Sequence, residues 1–243
     1  MYMFADLIIF FTIYAFAGWA LECIFVSFYE KKLVNRGFLH GCFCPVYGFG
    51  GLLIIAAFKW ITAIFTGYLT GIIIGTAFSI LTVTVLEYVT GYLLEKIFHC
   101  KWWDYSNEFA NIHGYICLKN SLMWGLLAVI LVLVANPLLE RLVYHFTEQA
   151  RLIAASMFLT YFIADTMMSV IETLQLRNAI VKHAVIPIQK YKEVVIRYKR
   201  FFVAFPHLLK LNAGVINRDV RSILNERIKW AKDNIKDNIK KIH

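Results

Sequence analysis

The chain has 243 residues, of which 60% are hydrophobic and only 17% are charged, and its formal net charge is +9. With a mean hydropathy of +0.62, this composition excludes an ordinary soluble domain and predicts an all-α, polytopic membrane helix bundle. The sequence contains no Walker A motif, which excludes ATP hydrolysis by the P-loop route within this chain.

Five apolar stretches are long enough to cross a hydrocarbon core, which requires about 20 residues per helix. They run from Phe4 to Phe28, Val46 to Phe65, Tyr68 to Glu95, Gly114 to Leu139, and Leu152 to Leu176. The first stretch carries Asp6 near its start and lacks the basic segment that precedes the apolar core of a signal peptide. We therefore expect it to be retained in the mature protein as a membrane anchor. Lys59 and Trp60 are polar or amphipathic residues at which the second stretch could end early. A re-entrant hairpin at this place would make the number of spans four or six.

Lysine and arginine are concentrated on alternate connections. Loop 1 (residues 31–44) carries three, loop 3 (residues 96–119) carries three, and the segment after residue 176 carries sixteen, against three in the other connections. By the positive-inside rule, this distribution predicts a multi-pass membrane protein with the N-terminus outside and the C-terminus in the cytoplasm. Four of the five cysteines lie at or near loops 1 and 3, which indicates reduced thiols in the cytoplasm.

The charge balance changes near Arg177, which divides the chain into a transmembrane domain (residues 1–176) and a basic amphipathic cytoplasmic tail (residues 177–243). Net charge runs from −2 in the first part to +11 in the second. Apolar residues of the tail recur mostly every three or four positions, which predicts an amphipathic helix: Ile216, Val220, Ile223, Ile228, Ala231, Ile235, Ile239 and Ile242. Such a helix either binds anionic lipid headgroups or packs as a solvated element on the cytoplasmic face. We expect no nucleic acid partner, because no base-reading module accompanies the charge.

Acidic residues inside the apolar stretches are the main indication of a functional site. A carboxylate at the centre of a spanning helix costs about 2.5–3.5 kcal/mol, so it needs a cation, a proton or water. Glu22 lies one helical turn from Gly18, and Glu87 lies one turn from Gly91, which predicts that both acids face closely packed neighbours. Asp165 carries the same cost, but the sequence assigns no cation to it.

Asp165 begins a polar seam that continues through Ser169 and Glu172 at helical spacing. Proton relays in transporters use such seams, whereas a structural ion pair or hydrogen bond within the bundle is the alternative.

Loop 1 continues into a glycine-rich segment that ends at Gly51. The glycines predict unusual backbone angles and exposed amides, as in a re-entrant loop. Arg36 in this loop is a natural counter-ion for Glu22 or for an anionic group of a substrate.

Loop 3 contains two adjacent tryptophans, Trp102 and Trp103, which suit anchoring at the membrane interface. Asp104, Tyr105 and Asn111 follow, and we expect them to close over a pocket that faces the cytoplasm. Metal-ligand residue types occur in both loops: His40, Cys42, Cys44, His99, Cys100 and His113. Their spacing does not match a zinc hairpin, so we predict no metal site and no other cofactor.

These motifs together resemble the bacterial membrane family of type IV ABC-transporter proteins (CmpB-like). The resemblance covers roughly residues 5 to 135 and depends on Gly18-Trp19-x-x-Glu22, Asn35 to Leu39, Pro45 to Gly50, Leu86-Glu87-Tyr88 with Thr90-Gly91, and Trp102 to Ser106. One departure is Cys42, where the family usually has proline. The resemblance implies a helix bundle of the bacterial cytoplasmic (inner) membrane and a transport context, and it implies no catalytic residues.

We interpret the chain as a permease-like protein that binds or transports a small polar or amphipathic solute at a cytoplasm-facing site. The expected substrate-binding residues are the acids and their neighbours: Glu22, Asn35, Arg36, Tyr47, Glu87, Asp104 and Tyr105. Two alternatives stay open, which are an integral-membrane enzyme acting on a lipid or lipid-linked substrate and a non-catalytic membrane subunit. Expected partners are therefore membrane lipids, a small-molecule or lipid ligand, and a protein partner or second copy.

The predicted orientation can be checked with alkaline phosphatase fusions, since this reporter is active only outside the cytoplasm. We expect a fusion after Arg36 to be inactive and a fusion after Gly67 to be active, because the positive-inside rule places them on opposite sides. The reverse pattern of activity would show that the orientation is wrong.

Overall fold

A computed structural model describes residues 3–31, 35–65, 67–98 and 101–183. It contains six α-helices over these residues: α1 (Phe4–Glu30), α2 (Pro45–Ile64), α3 (Tyr68–Phe98), α4 (Leu118–Ile130), α5 (Asn136–Tyr144) and α6 (Glu148–His183). A π-helical turn, Leu131–Ala135, joins α4 and α5 into one long span. The described residues therefore form five helices long and apolar enough to cross a membrane, which confirms the prediction of five spans. The amphipathic helix predicted from Ile216 onward lies outside the described residues.

The structure agrees with the predicted second stretch and corrects the start of the fourth. Helix α2 continues through Lys59 and Trp60 to Ile64, so the second stretch is a full span and not a re-entrant hairpin. Both side chains have partners there, because Lys59 lies 3.5 Å from the Glu140 carboxylate and Trp60 packs against an aromatic ring of α3. The fourth span begins at Leu118, after Gly114, because the φ angle of +75° at this glycine is incompatible with a right-handed helix.

The glycines of the second span are packing residues, which corrects the prediction of a loop with unusual backbone angles. Gly48 and Gly51 lie within α2, and Gly114 is the one glycine with a positive φ among the described residues. A Cβ atom on Gly51 would lie 2.5 Å from the Tyr14 ring of α1, so only glycine permits this approach. Small residues at helix interfaces are how membrane helices pack closely without a hydrophobic force between them.

Helix α2 lies at the centre of the described bundle, since α1 and α3 both pack on it, while α4 packs on α3 and α6 packs on α1. Two clusters of buried side chains hold these helices together. One contains Ile54, Phe58, Val83, Trp124 and Ala128, and the other contains Phe10, Tyr14, Ile55 and Val143. These contacts bring the ends of α1, α2, α3 and α4 together near loops 1 and 3, which we call the loop end of the bundle.

The opposite end of the bundle, which we call the far end, is closed by polar contacts. The Tyr14 hydroxyl donates to the Asn136 side chain at 2.6 Å, and the Asn136 amide donates to Glu140 at 3.1 Å. Pro137 follows Asn136 and lacks the backbone N–H that would donate a helical hydrogen bond. The π-helical turn, where the α-helical hydrogen-bond pattern is interrupted, lies immediately before Asn136.

A buried ion pair also ties the start of α1 to the start of α6 at the far end. The Arg151 guanidinium donates to the Asp6 carboxylate, and both side chains are largely buried. Arg151 also lies over the Tyr144 ring, with the guanidinium carbon 4.9 Å from the ring centroid. Arg151 therefore compensates the charge of Asp6, an acid to which the sequence assigns no partner.

Replacing Arg151 with methionine should destabilise the protein, because it leaves the Asp6 carboxylate buried without a cation. We expect the free energy of unfolding in detergent to fall by about 3–5 kcal/mol, measured by circular dichroism during titration with sodium dodecyl sulfate. Arg141→Met, at an exposed arginine of α5, is the matched control and should change little. Equal losses in the two variants would contradict a specific contribution from the Asp6–Arg151 pair.

Candidate functional site

Glu22 on α1 is held by one neutral donor and one cation. The Tyr47 hydroxyl of α2 donates to Glu22 Oε1 at 2.7 Å, and Arg36 Nη1 of loop 1 lies 3.8 Å from Glu22 Oε2. Gly18 makes this arrangement possible, because a Cβ atom there would overlap the Tyr47 ring. The acid and the arginine are both only partly buried, so this ion pair is close to solvent or headgroups at the loop end.

Local contacts on both sides of Arg36 fix the start of the described part of loop 1. The Asn35 side-chain oxygen accepts from Trp19 Nε1 at 2.8 Å and from the Gly37 amide at 3.0 Å. The Arg36 amide lies 3.4 Å from the Cys23 sulfur. Asn35 therefore positions the neighbouring guanidinium, since it joins the backbone of loop 1 to α1.

Glu87 on α3 is more deeply buried, with only 6% of the residue exposed. Its described partners are neutral, since Trp124 Nε1 of α4 donates at 3.3 Å and the Tyr105 hydroxyl of loop 3 also bonds to it. The described residues place no lysine, arginine or histidine in an ion pair with this carboxylate. Neutral donors reduce the desolvation penalty of an anion, but they do not supply its counter-charge.

An aromatic contact connects the two acids. The Tyr47 and Trp124 rings lie with their centroids 4.8 Å apart. The Tyr47 hydroxyl donates to Glu22, and the Trp124 indole N–H donates to Glu87. We call this set the Glu22–Glu87 cluster: Glu22, Arg36, Tyr47, Glu87, Tyr105 and Trp124. Burial raises the pKa of Tyr105 well above its usual range, and the Glu87 and Glu22 charges raise it further. Tyr105 therefore stays neutral and remains a hydrogen-bond donor.

Five of the seven predicted site residues come together in this cluster, and a sixth, Asn35, positions one of them. Asp104 makes its described contacts elsewhere, because it accepts from the Ser106 amide at 3.1 Å and lies 3.9 Å from Lys101 Nζ. Asn111 bonds to carbonyl groups within loop 3. These two residues order the loop, and their participation in ligand binding stays a prediction.

Two other expectations change in the structure, those for Trp102 and Asp165. Trp102 is not a lipid-facing anchor, since it is buried against the rings of Phe38 and Phe98. Asp165 does have a partner, because His40 of loop 1 lies beside it. Among the described residues, no three His, Cys, Asp or Glu side chains converge as a metal site would require.

Sequence reasoning missed Trp124, which is a central member of the cluster. Its position inside an apolar span was an indication that it has a polar partner, because a buried indole N–H normally donates to a hydrogen-bond acceptor. It also missed the pairing of His40 with Asp165, since nothing in a loop histidine indicates which of several spans it will meet.

Comparison with known families agrees with the helical membrane architecture. The model of the family described as "Putative ABC-transporter type IV" matches residues 9–170, which is about two thirds of the chain. The chain belongs to this family. The match covers the whole Glu22–Glu87 cluster, and the family description names neither a solute nor a site residue. No curated protein and no solved structure matches the chain.

The packing of loop 1 can be checked through the reactivity of its two thiols. Cys42 is exposed, whereas burial, with the nearby Glu22 charge, raises the pKa of the Cys44 thiol to about 12. Because the thiolate is the reactive form, we expect N-ethylmaleimide to modify Cys42 roughly tenfold faster than Cys44 near neutral pH. Tandem mass spectrometry separates the two sites, and Cys42→Ser isolates Cys44. Equal rates would show that loop 1 does not shield Cys44.

Proposed function

We propose that this protein binds and transports a small polar or amphipathic solute through the Glu22–Glu87 cluster, in the bacterial inner membrane. The observation that carries the proposal is Glu87, a carboxylate buried in a spanning helix whose described partners are all neutral. A transported solute or a proton is the usual source of the missing charge at such a position.

The balance of charges favours a solute with a positive group. The cluster contains two carboxylates and one guanidinium, so with both acids ionised its side chains sum to a charge of −1. Arg36 is already within ion-pairing distance of Glu22. A cationic group beside Glu87 would therefore balance the cluster, whereas an anionic solute would increase the repulsion.

The aromatic side chains suit the apolar body of such a solute. Tyr47, Trp124 and Tyr105 surround the two acids, and they combine large apolar faces with a polar edge. Cations attached to an organic body bind well to such faces, at about 0.5–2 kcal/mol per contact. A small set of polar groups among apolar walls is the usual composition of a ligand site.

The two ends of the bundle support a mechanism of alternating access. At the loop end, Glu22 and Arg36 are partly exposed, so a solute from that side meets the ion pair first. At the far end, the Asp6–Arg151 pair and the contacts of Asn136 hold the helices together. In this mechanism Glu22 and Glu87 change their protonation, or their pairing with Arg36, as access to the cluster changes from one side of the membrane to the other.

Neutralising Glu87 tests the proposal directly. With ethidium as a fluorescent organic cation, we expect wild-type protein in nanodiscs to bind the probe and Glu87→Gln to bind it at least about tenfold more weakly, since loss of a buried charge partner commonly costs 2–5 kcal/mol. Fluorescence polarisation gives the affinity, and uptake into proteoliposomes gives transport.

The matched control is Glu108→Gln, at an exposed acid of loop 3, which should bind ethidium like the wild type. Equal affinity of Glu87→Gln and wild type would contradict the proposed site. Preferential binding of an anionic dye such as fluorescein would contradict the charge argument. Mass spectrometry of the purified protein would reveal a retained lipid, which would favour a lipid-directed activity over a soluble solute.

A further inference from the structure

A second polar cluster lies at the loop end, where loop 1 meets α6. Asp165 is only 6% exposed, and both of its carboxylate oxygens are occupied. Oδ1 accepts from the His40 amide at 2.9 Å, while Oδ2 accepts from the Gly41 amide and the Tyr161 hydroxyl, both at 3.0 Å. The approach is close, because a Cβ atom on Gly41 would overlap the Tyr161 hydroxyl. Helix α6 thus holds the backbone of loop 1 through one buried acid.

The imidazole of His40 lies between two carboxylates of α6. Its Nδ1 lies 2.9 Å from Ser169 Oγ and 3.5 Å from Asp165 Oδ1, and its Nε2 lies 2.7 Å from Glu172 Oε2. Both ring nitrogens therefore face oxygen atoms. The His40 side chain is 37% exposed, so protons from the loop-end solvent can reach the ring.

Among the described residues, His40 is the basic side chain that lies beside both Asp165 and Glu172. Glu172 Oε2 is buried and accepts no aligned hydrogen bond from the described residues, although Nε2 lies beside it. Within the described part of the chain, neither Asp165 nor Glu172 has a lysine or arginine in an ion pair. When the imidazole carries a proton, it supplies a positive charge beside both acids.

Ser169 allows the ring to gain and lose this proton without leaving a hydrogen-bonding group unpaired. With a neutral ring, the Ser169 hydroxyl donates to Nδ1. With a charged ring, the hydroxyl accepts from Nδ1 and turns its own proton toward Asp165 Oδ1, 3.4 Å away. The buried serine is therefore a donor in one state and an acceptor in the other.

We propose that His40, Asp165, Ser169 and Glu172 form a proton-binding site in which the proton on His40 holds loop 1 against α6. The site shares no residue with the Glu22–Glu87 cluster, and it does not depend on the proposed solute. The two acids face His40 from α6, and the Tyr161 hydroxyl of the same helix donates to Asp165. On loop 1, Cys42 lies close to Tyr161. Histidine changes its charge between about pH 5 and 8. The contact is therefore strongest at the acidic end of this range and weakens as the pH rises.

The proton can be observed directly by nuclear magnetic resonance of protein labelled with ¹⁵N-histidine in nanodiscs. We expect the His40 ring to titrate in wild type, and Glu172→Gln to lower its midpoint by about one pH unit, a tenfold loss of proton affinity. His145, an exposed histidine outside this site, is the internal control and should titrate identically in both proteins. His40→Gln assigns the signal.

Hydrogen exchange reports whether the proton holds the loop. We expect the protection factors of the His40 and Gly41 amides to fall about fivefold or more across the titration in wild type, the factor that corresponds to about 1 kcal/mol. They should be independent of pH in His40→Gln. A ring that stays neutral while these amides are protected, an unchanged midpoint in Glu172→Gln, or pH-independent protection in wild type would overturn the proposal. If Glu172→Gln fails to fold, the wild-type titration and protection still decide.

Discussion

The free-energy cost of placing carboxylates in a low-dielectric helix bundle determines the arrangement of the loop end. Three acids on three different helices meet this cost in different ways. Glu22 has an ion pair with Arg36, Asp165 has two backbone amides and His40, and Glu87 has neutral donors only. Because an unpaired buried ion costs several kcal/mol, the groups that compensate these acids fix where loops 1 and 3 lie. The loops are ordered around the acids, and the acid with the weakest compensation is the one we place at the centre of the solute site.

Loop 1 connects the two polar clusters. It carries Arg36 to α1 and His40 to α6, so one short segment of chain is held at both ends by charges on different helices. The far end differs, since the pairing of Asp6 with Arg151 satisfies an acid and a base with each other. An ion pair between two side chains of the protein stabilises one arrangement of the helices. An acid without a cationic partner, or one that shares a proton, can instead change its charge or its partner during function. This difference between the two ends supports the placement of the proposed solute site and the proposed proton-binding site at the loop end.

Particular residues show what could be predicted from the sequence. The five spans follow from hydropathy, because burial in a membrane is a property of about 20 consecutive residues. The inward direction of Glu87 follows from its spacing to Gly91, since both lie on one face of a helix. The glycines near Gly51 were misleading, because a glycine that permits helix contact and a glycine that permits a turn look the same in sequence. Trp102 was misleading for a similar reason, since a tryptophan near a membrane boundary can anchor in lipid or pack inside the protein.

The amino-acid sequence by itself determined the helical class, the five apolar stretches, the acids within them and the distribution of basic charge. These properties depend on composition and on spacing within one segment, which local periodicity records. Only the tertiary structure decided which partner each acid receives. His40 and Asp165 are 125 residues apart in the chain, and Trp124 meets Glu87 only because α3 and α4 pack side by side. Such pairings depend on how closely whole helices approach one another, and that approach is set by glycines and aromatic rings acting together across the bundle.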